Sequence, residues 1–309
     1  MLHISGDSIN SIYLNLLELA LKRGSGYVDS RVGPVKDMGP AVLEFTQPNH
    51  QLLFLRGRKY NPFFSLVESS WVLSGRNDLS DLKSVISGYS KFSDDGLTLN
   101  GAYGYRMRHY FGIDQLNETI SLLKEDPESR RAVISLYGAK DLVNNSSLDI
   151  PCNTTLFLKV RDDALDLTVI NRSNDLFLGL PYNAFVFGVI HKFIAKELSL
   201  QVGIQRHFTD SLHLYKENAE LVSDLLAVNS QDEIDSWVKE YSSSSDLFNG
   251  IFNDSAAISR LDSKDIKSDY CRKVVSAFLL RKENGCSESI ESLPFDAFGH
   301  AARLWLESL

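Results

Sequence analysis

The sequence predicts an α/β (α+β) fold, a mixed sheet packed with helices. Three observations predict it. Helical periods open the chain, short strand-like runs fill its middle, and helical periods return at the end, an order that suits a mixed sheet with helices laid on it. Two apolar runs, 155–160 and 165–170, flank Arg161-Asp162-Asp163, which is a hairpin signature. Residues 181–198 are long and mostly apolar, with Pro181 in the first turn, and read as a buried helix.

The elements follow in order. Residues 6–23 read as an amphipathic helix: Ile9, Ile12, Tyr13, Leu16, Leu17, Ala20 and Leu21 recur at helical spacing, and Ser8 can cap it. Glycines and prolines between 24 and 40 break the chain into a turn-rich loop. Residues 41–45 and 52–55 are short apolar runs that read as strands. Residues 63–73 are apolar at helical spacing around one carboxylate, Glu68. The stretch 74–101 is polar and turn-rich, 115–124 reads as a helix ending near Pro127, and 132–137 as a strand. Past residue 218 helical periods resume at 219–227 and 234–241, then comes the serine run 242–245, a loop, and more helix to Leu309. The chain thus divides into 1–218 and a mostly helical region, 219–309, packed on the same domain.

With 309 residues, 43% of them hydrophobic, the chain can bury one large core. Its formal net charge of −8 argues against a polynucleotide partner, which demands a basic face, whereas a small anion needs only a few local arginines. The cysteines, Cys152, Cys271 and Cys286, show no zinc-site spacing, so no metal is expected. Their odd, sparse count fits a reducing compartment, and Cys271 and Cys286 read as structural. The N-terminus lacks the basic start and apolar run of a signal peptide, and no stretch approaches the roughly 20 apolar residues of a membrane span. A cytoplasmic protein that engages neither nucleic acid nor membrane is the expectation.

One set of motifs carries chemistry. In chain order it is Pro151-Cys152-Asn153, then Asn171-Arg172-Ser173-Asn174-Asp175, then Leu178-Gly179-Leu180-Pro181-Tyr182-Asn183, then His207 and His213-Leu214-Tyr215. A lone cysteine is most often an inert small hydrophobe. An arginine pair such as Arg130-Arg131 is most often a solvated strand end, its two side chains pointing to opposite faces. Read together, these residues say more. A thiol attacks as thiolate, a nearby cation lowers its pKa, and Arg172 and Arg31 are candidates for that cation. Arginine also grips phosphate through its planar fork. The set suits a phosphorylated nucleoside attacked by a cysteine.

From Cys152 to Tyr215 the chain resembles the thymidylate synthase family, which includes the pyrimidine nucleotide hydroxymethylases. The run from Arg172-Ser173 through Asp175 to Leu178-Gly179-Leu180-Pro181-Tyr182-Asn183 is long and specific. Weaker matches lie upstream: Ser30-Arg31-Val32-Gly33 at the phosphate loop, the segment from Glu68 through Trp71 to Gly75, Tyr103-Gly104, and Ser129-Arg130-Arg131. The resemblance covers about residues 6–218.

It implies a thymidylate-synthase-like fold and a one-carbon transfer to C5 of a pyrimidine nucleotide, with methylenetetrahydrofolate as co-substrate and a homodimer that shares its sites. In that scheme Cys152 adds to C6 of the base. Glu68 stabilises the enolate at O4 through ordered water, and Tyr103 helps remove the C5 proton. Arg31, Arg172 and Ser173 hold the 5′-phosphate, and Arg130 and Arg131 reach the phosphate of the neighbouring subunit. His213 and Tyr215 bind the sugar 3′-hydroxyl. Asp175 and Gly179 line the folate side, and Asn183 contacts the base. A side-chain amide at Asn183 can donate to O4 and accept from N3–H, which favours uracil over cytosine.

Several residues depart from the family pattern. Asn153 stands where the synthases carry a histidine of the water network near O4; Asn171 replaces a glutamine and Ser211 an aspartate. Tyr89 and Phe92 fall where the synthases carry tryptophans, one of which shields the methylene intermediate from solvent. Residues 219–309 look unlike the family's C-terminus. Admitting water favours a 5-hydroxymethyl product over the methyl of thymidylate synthase itself. The competing readings are the synthase, a non-catalytic nucleotide-binding homologue, and a cysteine hydrolase pairing Cys152 with His207 or His213.

Overall fold

The computed structural model describes residues 1–23, 26–48, 51–144, 146–284 and 291–309. Cys286 lies outside the described residues. One sheet organises the chain. Its strands are β1 (Leu2–Gly6), β2 (Val28–Asp29), β3 (Pro34–Asp37), β4 (Ala41–Phe45), β5 (Val133–Ser135), β6 (Asn153–Arg161), β7 (Ala164–Asp175) and β8 (Gln201–Tyr215). The order is β1-β4-β8-β7-β6-β5, with β3 on the 213–215 end of β8 and β2 on β3. β1–β4 and β7–β8 run parallel and the remaining pairs antiparallel, so the sheet is mixed, as the order of elements predicts. The β6–β7 hairpin closes through Asp162 and Asp163, both with positive φ (49° and 58°), the two-residue geometry that matches strand twist.

The helices among the described residues are α1 (Ile9–Lys22), α2 (Pro62–Leu73), α3 (Leu79–Val85), the single turn α4 (Tyr103–Tyr105), α5 (Gln115–Glu125), α6 (Leu180–Glu197), α7 (Ala219–Val228), α8 (Gln231–Glu240), α9 (Ser245–Ser259), α10 (Asp269–Asn284) and α11 (Ala297–Glu307). Helix α2 is central. Asn61 caps it by accepting from the amides of Phe63 (3.0 Å) and Phe64 (3.2 Å), and Pro62 fits its first turn. It packs against α6, α9 and α11, so each of its residues but one is buried; the exception is Glu68, half-buried. Helices α7 and α8 pack on α1, and one hydrophobic cluster runs from Ile9 to Leu306.

Elements differ from the sequence expectation in four places. Residues 52–55 are a buried extended loop and not a strand: Asn10 donates to the Leu52 carbonyl and accepts from the Phe54 amide, both at 2.8 Å, and these bonds replace a strand ladder. The polar stretch after residue 74 contains α3 and a 3₁₀ segment, Ser87–Phe92. β1 precedes the first helix, which begins at Ile9 and not at residue 6. β8, the longest strand, shows no apolar alternation because its buried face carries Gln205, His207 and Thr209.

The helices cover one face of this sheet. Across the other, register aligns Val42 with Phe208, Phe208 with Ile170, and Thr168 with Phe157, then Phe157 with Val133. Phe157 and Val133 are 42% and 38% exposed, an apolar face left open.

Candidate active site

The reactive residues sit where loops meet the sheet. Cys152 ends the loop before β6 and is half-buried, and the Arg172 amide on neighbouring β7 donates to its carbonyl at 2.9 Å. The Arg172 side chain bends back over the same loop. It donates to the carbonyls of Ile150 and Pro151, both at 3.0 Å, and lies 3.5 Å from the Cys152 Sγ. Burial pushes the thiol above its usual range, and the Arg172 guanidinium opposes that shift. Arg31 also reaches the loop, donating to Ser147 O (3.1 Å) and Leu148 O (2.6 Å). Two cations thus converge on the loop that carries Cys152.

Glu68 faces inward from α2. Burial raises its carboxyl to about 8, opposed by the hydroxyl of Tyr89, which donates to Oε1 at 3.4 Å. Oε2 is buried with no hydrogen-bond partner among the described residues. Tyr103, on α4, packs its ring against Phe187 at 5.7 Å and lies beside Asn153. Burial raises the Tyr103 phenol far above its ordinary range, and the neighbouring Cys152 adds to the shift. Asn153 is fully buried, and neither amide atom has a well-formed partner among the described residues. A buried amide left open in this way is a place for water or ligand.

Ser173 Oγ lies 3.4 Å from His213 Nδ1, which is also 3.2 Å from the Ser211 carbonyl. An Nδ1–H donating to Ser211 leaves Nε2 as an acceptor. Tyr215 stands edge-on to His213, ring centroids 5.3 Å apart, and beside Ser30. Asn183, in the first turn of α6, donates to Asn174 Oδ1 at 3.2 Å. Asp175 accepts from the Phe177 amide at 2.8 Å, and burial raises its carboxyl. Gly179 precedes α6; a Cβ there would stand 3.2 Å from both Asn174 Oδ1 and the Asp175 carbonyl.

The structure does not bring every predicted residue to this place. Arg130 and Arg131 are exposed beside the β6–β7 turn, lining a depression of about 990 Å³ with Arg161 and Asp162. His207 lies in the core between Phe45 and Phe187, 2.9 Å from the Gln205 amide, with burial lowering its pKa to about 3. Of the substituted positions, Asn171 donates to Thr209 Oγ1 at 3.2 Å, and Ser211 donates to Asp37 at 2.8 Å. Among the described residues no group of three or more His, Cys, Asp or Glu is placed to hold a metal, and no helix is long and apolar enough to cross a membrane.

Three residues of the site escape the sequence reading. Asp149 accepts from the Gly101 amide at 2.6 Å and is a charged neighbour of Cys152, Tyr89 and Tyr103. Its signal was an acid three residues before the cysteine. Arg58, buried, stacks over Phe177 at 3.9 Å and donates to that residue's carbonyl, close to Asp175. Asn174 lies inside the motif itself, between Ser173 and Asp175.

Comparison with known proteins points to one family. A family model described as thymidylate synthase matches residues 11–259. The chain is 36% identical over 242 residues to a deoxyuridylate hydroxymethyltransferase of Bacillus phage SP01, a match spanning 74% of this chain and 63% of the relative. It is 39% identical over 206 residues to a protein of that name from Pseudomonas phage M6, spanning 65% and 59%. A thymidylate synthase of Wigglesworthia glossinidia brevipalpis is 32% identical over 216 residues, spanning 67% of this chain and 79% of the relative. The chain therefore spans less than two thirds of the length of the phage relatives it matches.

Proposed function

Because this chain belongs to the thymidylate synthase family, we propose that it transfers a one-carbon group to C5 of a uracil nucleotide and leaves a 5-hydroxymethyl group there. The names of the phage relatives support deoxyuridylate as substrate and hydroxymethyl as product. One observation in the site carries that choice of product. Tyr89 turns a phenolic hydroxyl, not an apolar wall, toward Glu68. Water is welcome at such an edge.

In this reading the Cys152 thiolate adds to C6, with the Arg172 guanidinium 3.5 Å from Sγ favouring the charged form. Glu68, neutral below about pH 8, donates through water toward O4 as the enolate forms. Tyr103 helps take the C5 proton through water, and the open amide of Asn153 holds water in the same space. Arg31, Arg172 and Ser173 hold the 5′-phosphate, the two arginines exchanging their present bonds to the 147–151 carbonyls for phosphate oxygens. His213 and Tyr215 take the 3′-hydroxyl, and Asn183 reads O4 and N3–H of uracil. Arg130 and Arg131, exposed and apart from the cleft, reach the site of a partner subunit in a homodimer. The open sheet face around Phe157 and Val133 is the surface for that dimer.

The residues present fit a reduced folate. Asp175 offers a carboxylate to the N–H donors of its amino-pyrimidine ring, Gly179 keeps the adjacent wall clear, and Tyr89, beside Glu68, is the third residue taken to meet the folate. Methylenetetrahydrofolate, when bound, supplies the methylene carbon.

The test uses purified protein, C5-tritiated dUMP and methylenetetrahydrofolate, with mass analysis of the product. Tritium release with a hydroxymethyl product is expected. A methyl product with dihydrofolate makes the chain a thymidylate synthase. Nucleotide binding without release makes it a non-catalytic homologue.

A further inference from the structure

We propose that Asp149 is a positioning residue for this reaction, tying the Cys152 loop to the Tyr103 turn and setting the charge that the thiol feels. The inference rests on the reading of Cys152 as nucleophile and Tyr103 as the group that serves the C5 proton. The two residues come from separate loops, and Asp149 joins them twice. Its carboxylate accepts from the Gly101 amide at 2.6 Å, and its carbonyl accepts from Asn100 Nδ2 at 2.8 Å. The approach is close enough to need a glycine: a Cβ at Gly101 would stand 2.6 Å from Asp149 Oδ1. The same turn is seated on α2 by Gly104, where a Cβ would fall 2.0 Å from the Val72 carbonyl, one helical turn beyond Glu68. Nucleophile, phenol and carboxylic acid thus stand on three segments held in one chain of contacts.

Cys152 faces Arg172 and Arg31 as cations, Asp149 and Asp175 as anions, and the phenols of Tyr103 and Tyr215. Asp149 itself faces Arg106, Arg31, Asp94 and Cys152; burial raises its carboxyl, and the Gly101 amide and Arg106 oppose that shift and favour the ionised form. Burial is the main reason the thiol is raised, Arg172 opposes it, and Asp149 adds a like charge that raises it again. Asp149 therefore restrains thiolate formation while it holds the turn in place. Asn at this position keeps an acceptor for the Gly101 amide and removes the charge; Ala removes both.

The experiment uses the full chain and two variants, Asp149→Asn and Asp149→Ala. First, the rate of Cys152 alkylation by iodoacetamide is followed against pH by peptide mass, without nucleotide. Asp149→Asn should move the midpoint to lower pH, the direction expected on losing one like charge beside the thiol. Second, tritium release from C5-labelled dUMP is measured beside dUMP affinity. Asp149→Ala should slow release on the order of tenfold or more with affinity little changed, and Asp149→Asn should restore most of the rate, the size expected for loss of positioning. Coincident alkylation profiles for wild type and Asp149→Asn overturn the charge role. Wild-type release by Asp149→Ala overturns the positioning role. If the wild type itself releases no tritium, the reading of the reaction fails, and the alkylation profiles still decide what Asp149 does to the thiol.

Discussion

Replacing Glu68 by Gln should flatten the alkaline side of the stability profile. Burial raises the folded-state carboxyl from 4.5 to about 8, while the unfolded chain releases the proton near 4.5. The sign follows from proton counting. Between those values the folded protein holds a proton that the unfolded chain has lost, so stability falls as pH rises through this window, and the loss is complete above about 8. The difference, 8 − 4.5, is about 3.5 units, or roughly 5 kcal/mol in full. From pH 6 to pH 9 the wild type should lose roughly 3 kcal/mol more than Glu68→Gln, since part of the cost is already present at pH 6. Gln keeps the shape and can still accept from Tyr89, so the comparison isolates the proton. Urea unfolding of both proteins at the two pH values measures the difference directly, and titrations elsewhere in the chain cancel. Parallel profiles, within about 0.5 kcal/mol, would refute the claim that Glu68 is held neutral by burial.

Other substitutions test the remaining roles. Cys152→Ala should abolish tritium release and leave dUMP binding within about twofold, since the thiol contributes covalent chemistry more than affinity; turnover by this variant would remove the nucleophile assignment. Arg172→Ala should weaken dUMP binding on the order of tenfold to a hundredfold, as loss of a charge-assisted phosphate contact does, and should raise the pH at which Cys152 alkylates, because its cation opposes the upward shift of the thiol. Asn183→Asp should shift the ratio of dCMP to dUMP turnover upward by about tenfold or more, because a protonated carboxyl suits the cytosine edge; an unchanged ratio would take Asn183 out of base reading.

Much of the candidate cleft could be located from the sequence because its residues lie in contiguous motifs. Arg172, Ser173 and Asp175 share one strand, and Gly179 and Asn183 flank one helix start, so local spacing places them together. The hairpin at Asp162-Asp163 and the buried helices α2 and α6 follow from local pattern as well. What escaped depends on contacts distant in sequence. Residues 52–55 have the composition of a strand, but the side chain of Asn10, over forty residues away, takes their backbone bonds. β8 hides because Gln205, His207 and Thr209 fill its inner face with polar groups that only the folded core satisfies in part. Asp149 and Arg58 looked like ordinary loop charges, and only the fold sets one against Gly101 and buries the other over Phe177. Arg130 and Arg131 are the converse case, residues legible as a motif that a single chain leaves apart from the cleft.

In the proposed reaction Cys152 activates C5 and water, not hydride, completes the group placed there. Turnover of dUMP in water carrying heavy oxygen, with methylenetetrahydrofolate present, tests both halves at once. The expected result is a 5-hydroxymethyl nucleotide whose new hydroxyl carries the heavy isotope, no dihydrofolate, and no product from Cys152→Ala. A methyl product free of label, formed together with dihydrofolate, would contradict it.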